Sequence, residues 1–364
     1  MRTATGLLTR IHIDGPLLFG LIVLCAIGLV TLHSAGGEDP QLLYRQGVRF
    51  FVGFVAMLVL AQIEIDKLAR WAPLLYAFGL ALLFVVLFFG SGKGVRRWLD
   101  LGVFTFQPSE VMKLAVPLVC AWYLSDRPLP PSLRRVIVTL LFIVVPVVLI
   151  ALQPDLGTAV LIAATGLFIL FLAGMHWRYI CGAGLFAMVT APLLWLGMKD
   201  YQRQRVLTLF DPEKDPLGSG YHIIQSQIAV GSGGLTGKGW LAGTQSRLEF
   251  VPERSTDFIF AVYCEEFGFI GVLLLLMVYL FVVLRALYIA AVVQDSFARL
   301  VGGSLALTFF LYVFVNMGMV IGQLPVVGVP LPLISYGGTS LVTLLAGFGI
   351  LMSVHTHHRF LRRS

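Results

Sequence analysis

The sequence predicts an all-α, polytopic membrane protein with about ten transmembrane helices. Of its 364 residues, 58% are hydrophobic and only 12% are charged, and the mean hydropathy is +0.90. A soluble domain of this size has about a quarter charged residues. The apolar residues also fall into runs that are long enough to cross about 30 Å of hydrocarbon.

Ten such runs follow one another along the chain. The first has the length of a span and no small-residue cleavage site, which predicts a retained helix rather than a cleaved signal. The eighth is too long for one straight crossing, and Gly268 and Gly271 predict a bend in it. The runs cover approximately residues 15–35, 46–63, 71–90, 108–125, 135–152, 156–174, 178–198, 257–291, 299–322 and 340–357.

The basic residues predict the orientation of these spans. With a cytoplasmic N terminus, half of the 26 Lys and Arg residues lie on the cytoplasmic side, as the positive-inside rule requires. Both termini are then cytoplasmic, residues 1–364 form one membrane domain, and 199–256 is a large extracytoplasmic loop between helices 7 and 8. The positive net charge is explained by this orientation, so no nucleic-acid partner is expected. The short outer loops hold five basic residues: Arg45, Arg49, Lys93, Arg96 and Arg97.

Three carboxylates are predicted at the outer ends of three different helices. Glu110 lies in the first helical turn after FQPSE, with Lys113 one turn further along. Asp155, in QPDLGT, occupies the turn between the fifth and sixth spans. Asp257, in STDF, enters the eighth span. Each could serve only as a helix-start device, but three beside a lysine favour a functional site, because charged groups in membranes usually mark one.

Basic and aromatic residues accompany these carboxylates on the predicted outer face. GVRRWLDLG contains Arg97 and Trp98, and DYQRQRV contains Arg203 and Arg205. Arginine binds phosphate through two parallel hydrogen bonds, and tryptophan suits a sugar face or a wet interface. Contact with lipid headgroups is the alternative. We favour a phosphate-bearing ligand, because basic groups on the translocated side oppose the insertion bias.

Several other motifs are excluded by their spacing. GSGGLTGKGW at 231–240 lacks the glycine and the Ser or Thr that a phosphate-binding P-loop needs, so we interpret it as a flexible outer loop. No Ser-x-x-Lys occurs, so the chain lacks the acyl-transfer nucleophile of penicillin-binding proteins. The four cysteines lie in apolar runs without metal-binding spacing.

Together, RRWLDLG, FQPSE, QPDLGT, YQRQRV, DPLGSGYHIIQSQIAVGSGG, PERSTDFIFA and LPVVGVPLPLISYGG resemble the SEDS (shape, elongation, division and sporulation) family. The resemblance runs from about residue 10 to the C terminus. It is stronger for the family's elongation members than for its division members.

This resemblance implies a peptidoglycan glycosyltransferase that polymerises lipid II, a disaccharide-pentapeptide on undecaprenyl pyrophosphate, at the outer face of the cytoplasmic membrane. It implies an essential Asp257 and a polar Glu110–Lys113 pair in a central cavity. Its partners would be a class B penicillin-binding transpeptidase and other membrane proteins of the elongation complex. Residues from the same motifs are assigned to substrate binding: Arg97, Trp98, Gln107, Glu110, Lys113, Asp155, Thr158, Arg203 and Arg205.

Two roles stay open for Asp257. An aspartate at a helix start is expected to be ionised, so it could remove a proton from the acceptor hydroxyl or bind a divalent cation, Mg²⁺ or Mn²⁺. Glu265 and Glu266 lie about 12 Å deeper at 1.5 Å per residue, so we expect them to stabilise the helix bundle or contact neighbouring polar groups. A role in conformational control stays open.

Two other functions also stay open. A flippase for a lipid-linked precursor would need a polar path to the inner face, whereas a non-enzymatic scaffold for the transpeptidase would not need Asp257.

Overall fold

The chain is almost entirely helical in the residues that the structure describes. These are residues 12–91, 97–100, 105–197, 203, 207–209, 211, 219–247, 250–251 and 253–361 of a computed structural model. Within these ranges the two short strands β1 (Leu99–Asp100) and β2 (Thr105–Phe106) pair antiparallel, with Leu99 opposite Phe106.

Each of the ten predicted runs corresponds to one long helix, and the described part of 199–256 includes two further helices with defined bounds. The helices before residue 198 are α1 (Gly15–Ala35), α2 (Pro40–Ala61), α3 (Ile65–Phe89), α4 (Ser109–Ser125), α5 (Leu133–Leu152), α6 (Leu156–Leu172) and α7 (Trp177–Gly197). The later helices are α8 (Ser219–Ser232), α9 (Thr244–Arg247), α10 (Ile259–Val292), α11 (Ser296–Val320) and α12 (Thr339–Leu361).

The helices have the lengths and surfaces of membrane spans. Among the described residues, six are long and apolar enough to cross a bilayer, namely α1, α2, α3, α5, α10 and α11. Large apolar side chains point outward from them; Phe51 is 69% exposed and Phe89 is 79% exposed. Such faces are stable against lipid but not against water. The chain is therefore a multi-pass membrane protein, while the direction of each crossing stays a prediction.

Several helices begin at an aspartate that caps the first turn. The carboxylate of Asp14 accepts a hydrogen bond from the Leu17 amide at 2.9 Å, and that of Asp295 accepts one from the Ala298 amide at 2.7 Å. These bonds satisfy amides that have no partner inside the helix.

The start of α2 differs from the prediction. The apolar run predicts a start near residue 46, and the charge count assigns Arg45 and Arg49 to the outer side of the membrane. Instead, Asp39 caps the helix by accepting from the Gln41 amide at 2.8 Å, and Pro40 is its first residue. Both arginines therefore lie within its first three turns, because a capped polar turn can extend a helix beyond its apolar stretch.

Two large buried clusters, both with residues from α11, form most of the core, and a third, small cluster contains Leu161, Tyr312 and Val329. One cluster joins α1, α10 and α12, and the other joins α3 to α6. The second also includes Phe297, Leu300 and Val301, which lie on α11. Helices α2 and α12 pack so closely that a Cβ on Gly349 would lie 2.4 Å from the backbone oxygen of Met57.

The 199–256 segment contains a packed helix and an ordered turn that its polar composition does not predict. Helix α8 packs against α10 and α11, where Ser226 Oγ donates to the Val320 carbonyl at 2.8 Å. The following glycine-rich turn is not the free loop expected from the sequence. The amides of Lys238 and Gly239 donate to the carbonyls of Glu265 and Glu266, each at 3.0 Å.

Helix α10 bends at Gly268, as predicted. Its φ of 62° and ψ of −165° interrupt the helix. The glycine-rich turn fills the interruption: a Cβ on Gly268 would lie 2.2 Å from the backbone nitrogen of Gly237. A side chain at this position would therefore separate the two segments.

The buried carboxylates Glu265 and Glu266 also bind residues of the 199–256 segment, so they contact neighbouring polar groups as expected. Glu265 Oε1 accepts from Lys238 Nζ at 2.7 Å and from the Gln245 amide at 2.9 Å. Glu266 Oε1 accepts from Ser34 Oγ and from the Leu241 amide. These bonds connect the 199–256 segment to α10 and α1.

Candidate active site

The predicted polar residues meet at one end of the helix bundle, where α4, α6 and α10 begin. We call this the carboxylate end. Asp155 occupies its turn between α5 and α6, as predicted, and caps α6: its Oδ1 accepts from the Thr158 amide at 3.4 Å. Its Oδ2 accepts from Gln107 Nε2 at 2.8 Å. Asp155 therefore contacts two other predicted substrate-binding residues, Thr158 of its own motif and Gln107 of a separate motif.

Arg97 completes this group. Its Nη1 lies 3.9 Å from Asp155 Oδ1, its Nε donates to the Gln153 carbonyl at 3.1 Å, and its Nη2 donates to the Pro154 carbonyl. Arg97 therefore fixes the turn that carries Asp155, and part of its donor capacity is already used.

Glu110 and Lys113 form the pair that their spacing predicts. Pro108 precedes α4 and Glu110 is in its first turn. Lys113 Nζ lies 2.7 Å from Glu110 Oε1, and both side chains are nearly buried. The ammonium group also lies 5.2 Å from the ring centroid of Tyr312, a favourable cation–π distance. Glu110 Oε2 is buried and has no hydrogen-bond donor among the described residues.

A small, mainly apolar cavity lies beside Lys113 and Tyr312, between α4, α11 and α12. Its other lining residues include Leu114, Phe309, Leu344, Phe348 and Leu351. The cavity thus places a charged pair next to a surface suited to hydrocarbon.

Asp257 lies in the turn before α10, so its predicted place inside the helix is wrong by two residues. The helix starts at Ile259, and neither Ser255 nor Thr256 caps it. Their backbone carbonyls have other partners: that of Ser255 accepts from the Tyr336 amide at 2.8 Å, and that of Thr256 accepts from Ser335 Oγ at 2.6 Å. The turn is therefore attached to the loop that precedes α12.

The same loop approaches the Asp257 side chain. A Cβ added to Gly328, whose φ is 72°, would lie 3.5 Å from Asp257 Oδ2. The Asp257 carbonyl accepts from Asn316 Nδ2 at 2.8 Å, and Asn316 also donates to the Val329 carbonyl at 2.7 Å. Asn316 therefore fixes the Asp257 turn and the Gly328 turn against each other.

The Asp257 carboxylate is partly buried and has an elevated pKa. Burial, together with the negative charge of Glu253, raises the pKa of Asp257 from 3.8 to about 6. No described residue donates a hydrogen bond to its carboxylate oxygens, so little opposes these effects. The carboxylate is not at a helix start, so its pKa is not lowered as that of a helix-start aspartate would be. At pH 7 most molecules still carry the charged form, and the group takes up a proton close to neutrality.

Asp257 does not touch the Asp155 group directly, but two structural links connect them. Tyr312 and Asn316 are four residues apart, about 6 Å along α11, so one helix contacts both Lys113 and the Asp257 turn. In addition, α6 packs on the Gly328 loop, where a Cβ on Gly157 would lie 2.4 Å from the Val327 carbonyl oxygen.

The remaining predicted residues have less direct relations to this site. Trp98 is partly buried and forms an isolated β-bridge with Ser91. Arg203 Nη2 donates to the Leu196 carbonyl at 2.7 Å, near the end of α7. Arg205 lies outside the described residues.

Sequence reasoning did not identify Tyr312, Asn316 or Gly328 as residues of the site. Asn316 had a signal, since it is a polar residue within an apolar run, where such residues are usually functional or hydrogen-bonded.

Asp257, among the described residues, has a carboxylate that could hold a divalent cation. Among the described residues, no group of three or more His, Cys, Asp or Glu could bind one alone. Mg²⁺ often uses only one or two carboxylates and takes its other ligands from water and substrate phosphates. The single carboxylate of Asp257 is compatible with that mode.

A helical membrane protein with a carboxylate site at one end is the class that the fold and site define. Residues 8–360 match the "cell cycle protein" family of FtsW, RodA and SpoVE. The chain belongs to this family, which is the SEDS family.

Curated relatives and solved structures agree with this assignment. The chain is 52% identical to the peptidoglycan glycosyltransferase MrdB of Escherichia coli, over 98% of this chain and 96% of MrdB. It is 35% identical to a probable peptidoglycan glycosyltransferase FtsW of a Geobacter species, over 95% of this chain and 97% of that protein.

Two solved structures have the same fold. One is a chain from a peptidoglycan synthase complex described as coordinating polymerization and crosslinking, with a TM-score of 0.83 and 38% identity over 95% of this chain and 98% of that one. The other is the rod shape determining protein RodA of Thermus thermophilus, with a TM-score of 0.73 and 32% identity over 95% of this chain and 97% of that one.

Proposed function

We propose that this protein is a peptidoglycan glycosyltransferase of cell elongation. It polymerises lipid II into glycan strands at the outer face of the cytoplasmic membrane and releases undecaprenyl pyrophosphate. The names of MrdB and FtsW support the reaction class. The bundle supports the lipid substrate, because the Glu110–Lys113 pair borders an apolar cavity between α4, α11 and α12.

The observation that carries this proposal is the Asp257 carboxylate. It is partly exposed, it receives no hydrogen bond from the described residues, and its pKa is about 6. A general base works best when its pKa lies near the working pH.

In the proposed reaction Asp257 accepts the proton of the acceptor sugar's hydroxyl. The hydroxyl oxygen attacks the anomeric carbon of the donor sugar, and a new glycosidic C–O bond forms. The bond between that carbon and the pyrophosphate breaks, and the leaving group takes the bonding electrons. The proton on Asp257 then passes to water, which restores the carboxylate.

Cationic side chains would stabilise the leaving pyrophosphate. We assign this role to Arg97, Lys113, Arg203 and Arg205. Arg97 and Lys113 already contact Asp155 and Glu110, so they contribute positive charge from fixed positions. Gln107, Thr158 and Trp98 complete the proposed substrate surface.

In the alternative role, Asp257 would be a ligand, and Asp257 and the substrate phosphates would hold a divalent cation, Mg²⁺ or Mn²⁺. It would supply positive charge to the leaving group. The two roles of Asp257 differ in one measurable respect. For a general base, the pH midpoint of the rate is independent of cation concentration; for a ligand, added cation lowers that midpoint, because metal and proton compete for the carboxylate.

We further propose that a class B penicillin-binding transpeptidase and other elongation-complex membrane proteins are partners. A structural relative comes from a complex that couples polymerization and crosslinking, and this chain has no Ser-x-x-Lys sequence for the second reaction. The cytoplasmic membrane, with the carboxylate end facing the periplasm or cell exterior, follows from the predicted orientation.

Polymerisation of fluorescent lipid II by the purified protein tests this function. We expect glycan strands on gels, with or without added transpeptidase, and a dependence on Mg²⁺ or Mn²⁺. Transport of intact lipid II across proteoliposomes without strand formation would instead establish a flippase. If the transpeptidase makes the glycan strands and this protein makes none, this protein is a scaffold.

A further inference from the structure

Helix α2 carries two arginines that the proposed site does not use. Arg45 and Arg49 lie in the first three turns of α2 and are four residues apart, so they occupy the same face of the helix. Arg45 is exposed, and Arg49 is partly buried about 13 Å along the helix at 1.5 Å per residue. An arginine this far into a span is costly unless it serves a function.

An aromatic ring holds the Arg49 side chain in place, but its hydrogen-bonding capacity is not fully used. Its guanidinium carbon lies 4.1 Å from the ring centroid of Tyr336, which is a cation–π contact. This contact orients the group but uses none of its five N–H donors. Its Nη1 is buried and has no hydrogen-bond acceptor among the described residues.

A second polar group on the same face is also unsatisfied. Gln46 is completely buried and lies one turn before Arg49. Its Nε2 donates to the Ser335 carbonyl at 3.2 Å, while its Oε1 has no donor among the described residues. Buried polar atoms almost always have partners, so an open donor and an open acceptor on residues one helical turn apart indicate a ligand.

Arg49 is connected to the Asp257 turn through the loop that precedes α12. The Tyr336 and Ser335 contacts described above attach this loop to the residues directly before Asp257. Arg49 therefore lies on the Tyr336 side of Asp257, whereas Arg97 and Asp155 approach through α6 and the Gly328 loop.

We propose that Arg49, with Arg45 one turn before it, binds a phosphate or pyrophosphate group carried by a membrane lipid. Arginine matches phosphate oxygens in geometry and charge, and Gln46 Oε1 can accept from a hydroxyl beside the phosphate. The lipid can be a bulk phospholipid or a lipid-linked sugar substrate. The second source rests on the proposed function: joining two lipid-linked sugars requires two phosphate sites, one on each side of Asp257.

Native mass spectrometry of the purified full chain tests this site. The probes are undecaprenyl pyrophosphate and phosphatidylglycerol, added in separate titrations. The variants are Arg49→Gln and Arg49→Lys, and the control is Arg70→Gln, which removes an exposed arginine at the opposite end of the bundle. Thermal melting and size-exclusion profiles establish that each variant is folded; Arg49→Lys retains the charge if Arg49→Gln is unstable.

We expect two bound undecaprenyl pyrophosphates for the wild type and for Arg70→Gln. Arg49→Gln should retain one and bind the second at least about tenfold more weakly, because charge-assisted hydrogen bonds are lost. Arg49→Lys should be intermediate. If only phosphatidylglycerol binding falls, the site is confirmed and the lipid is a bulk phospholipid.

The proposal is overturned if folded Arg49→Gln binds both lipids as tightly as Arg70→Gln does. It is also overturned if the wild type binds neither lipid. These binding results do not depend on catalysis. A chain that fails to polymerise lipid II but loses lipid in Arg49→Gln would disprove the proposed function and retain this site.

Discussion

Replacing Asp257 with asparagine should abolish activity and, at neutral pH, make the protein more stable. The structure raises the pKa of this carboxyl from 3.8 to about 6, so the folded protein disfavours its charged form. The difference corresponds to about 3 kcal/mol at 1.36 kcal/mol per pH unit, reduced to about 1–2 kcal/mol because the partly exposed group retains some water. Asparagine has the same shape and removes this cost.

The stability gain should depend on pH in a defined direction. A raised carboxyl pKa lowers folding stability as pH rises from about 4 to about 6 and has no effect below the unfolded-state value. The melting temperature of Asp257→Asn in detergent should therefore exceed that of the wild type at pH 7.5 and match it near pH 4. Asp39→Asn, which changes an exposed helix cap, is the control, and its melting temperature should stay close to that of the wild type because Asn and Asp cap helices about equally well. Equal melting temperatures of wild type and Asp257→Asn at both pH values would refute the assigned environment.

Two further predictions concern the buried pair and the sidedness of the site. Glu110→Gln or Lys113→Met alone should lower the free energy of unfolding by about 3–5 kcal/mol and remove most activity, because each leaves a buried charge unpaired. The double variant should lose clearly less stability than the sum of the two single variants. Additive shifts in melting temperature would show that the two groups are uncoupled. In a Cys181→Ala background, Ser255→Cys should react with impermeant thiol reagents from outside and be protected by lipid II, while Arg178→Cys should do neither. Protection of both positions by lipid II would favour a flippase.

Much of the fold could be predicted from the sequence, because lipid imposes length and apolarity on each span. All ten apolar runs correspond to helices, and the bend at Gly268 was predicted from the run's length. The start of α2 was missed, because Arg45 and Arg49 interrupt the apolar signal. The structure of 231–240 was also missed, since it depends on hydrogen bonds to α10 from distant residues.

The site was predicted less completely. The sequence predicts the three carboxylates at one end and the Glu110–Lys113 pair, because helix starts and (i, i+3) spacing are local properties. Tyr312 and Asn316 were missed, since only the packing of α11 against α4 and the Asp257 turn gives them their contacts. The pKa of Asp257 could not be predicted either, because it depends on burial by the surrounding loops.

The most direct test of Asp257 as the catalytic base is the rate of lipid II polymerisation as a function of pH. The measurement compares the wild type with Asp39→Asn and Asp257→Asn at saturating substrate and fixed cation concentration. Wild type and Asp39→Asn should gain activity as pH rises, with a midpoint near pH 6 where Asp257 loses its proton, and Asp257→Asn should form no strands at any pH. A wild-type rate that does not change between about pH 5 and 8, or strands made by folded Asp257→Asn, would contradict the account.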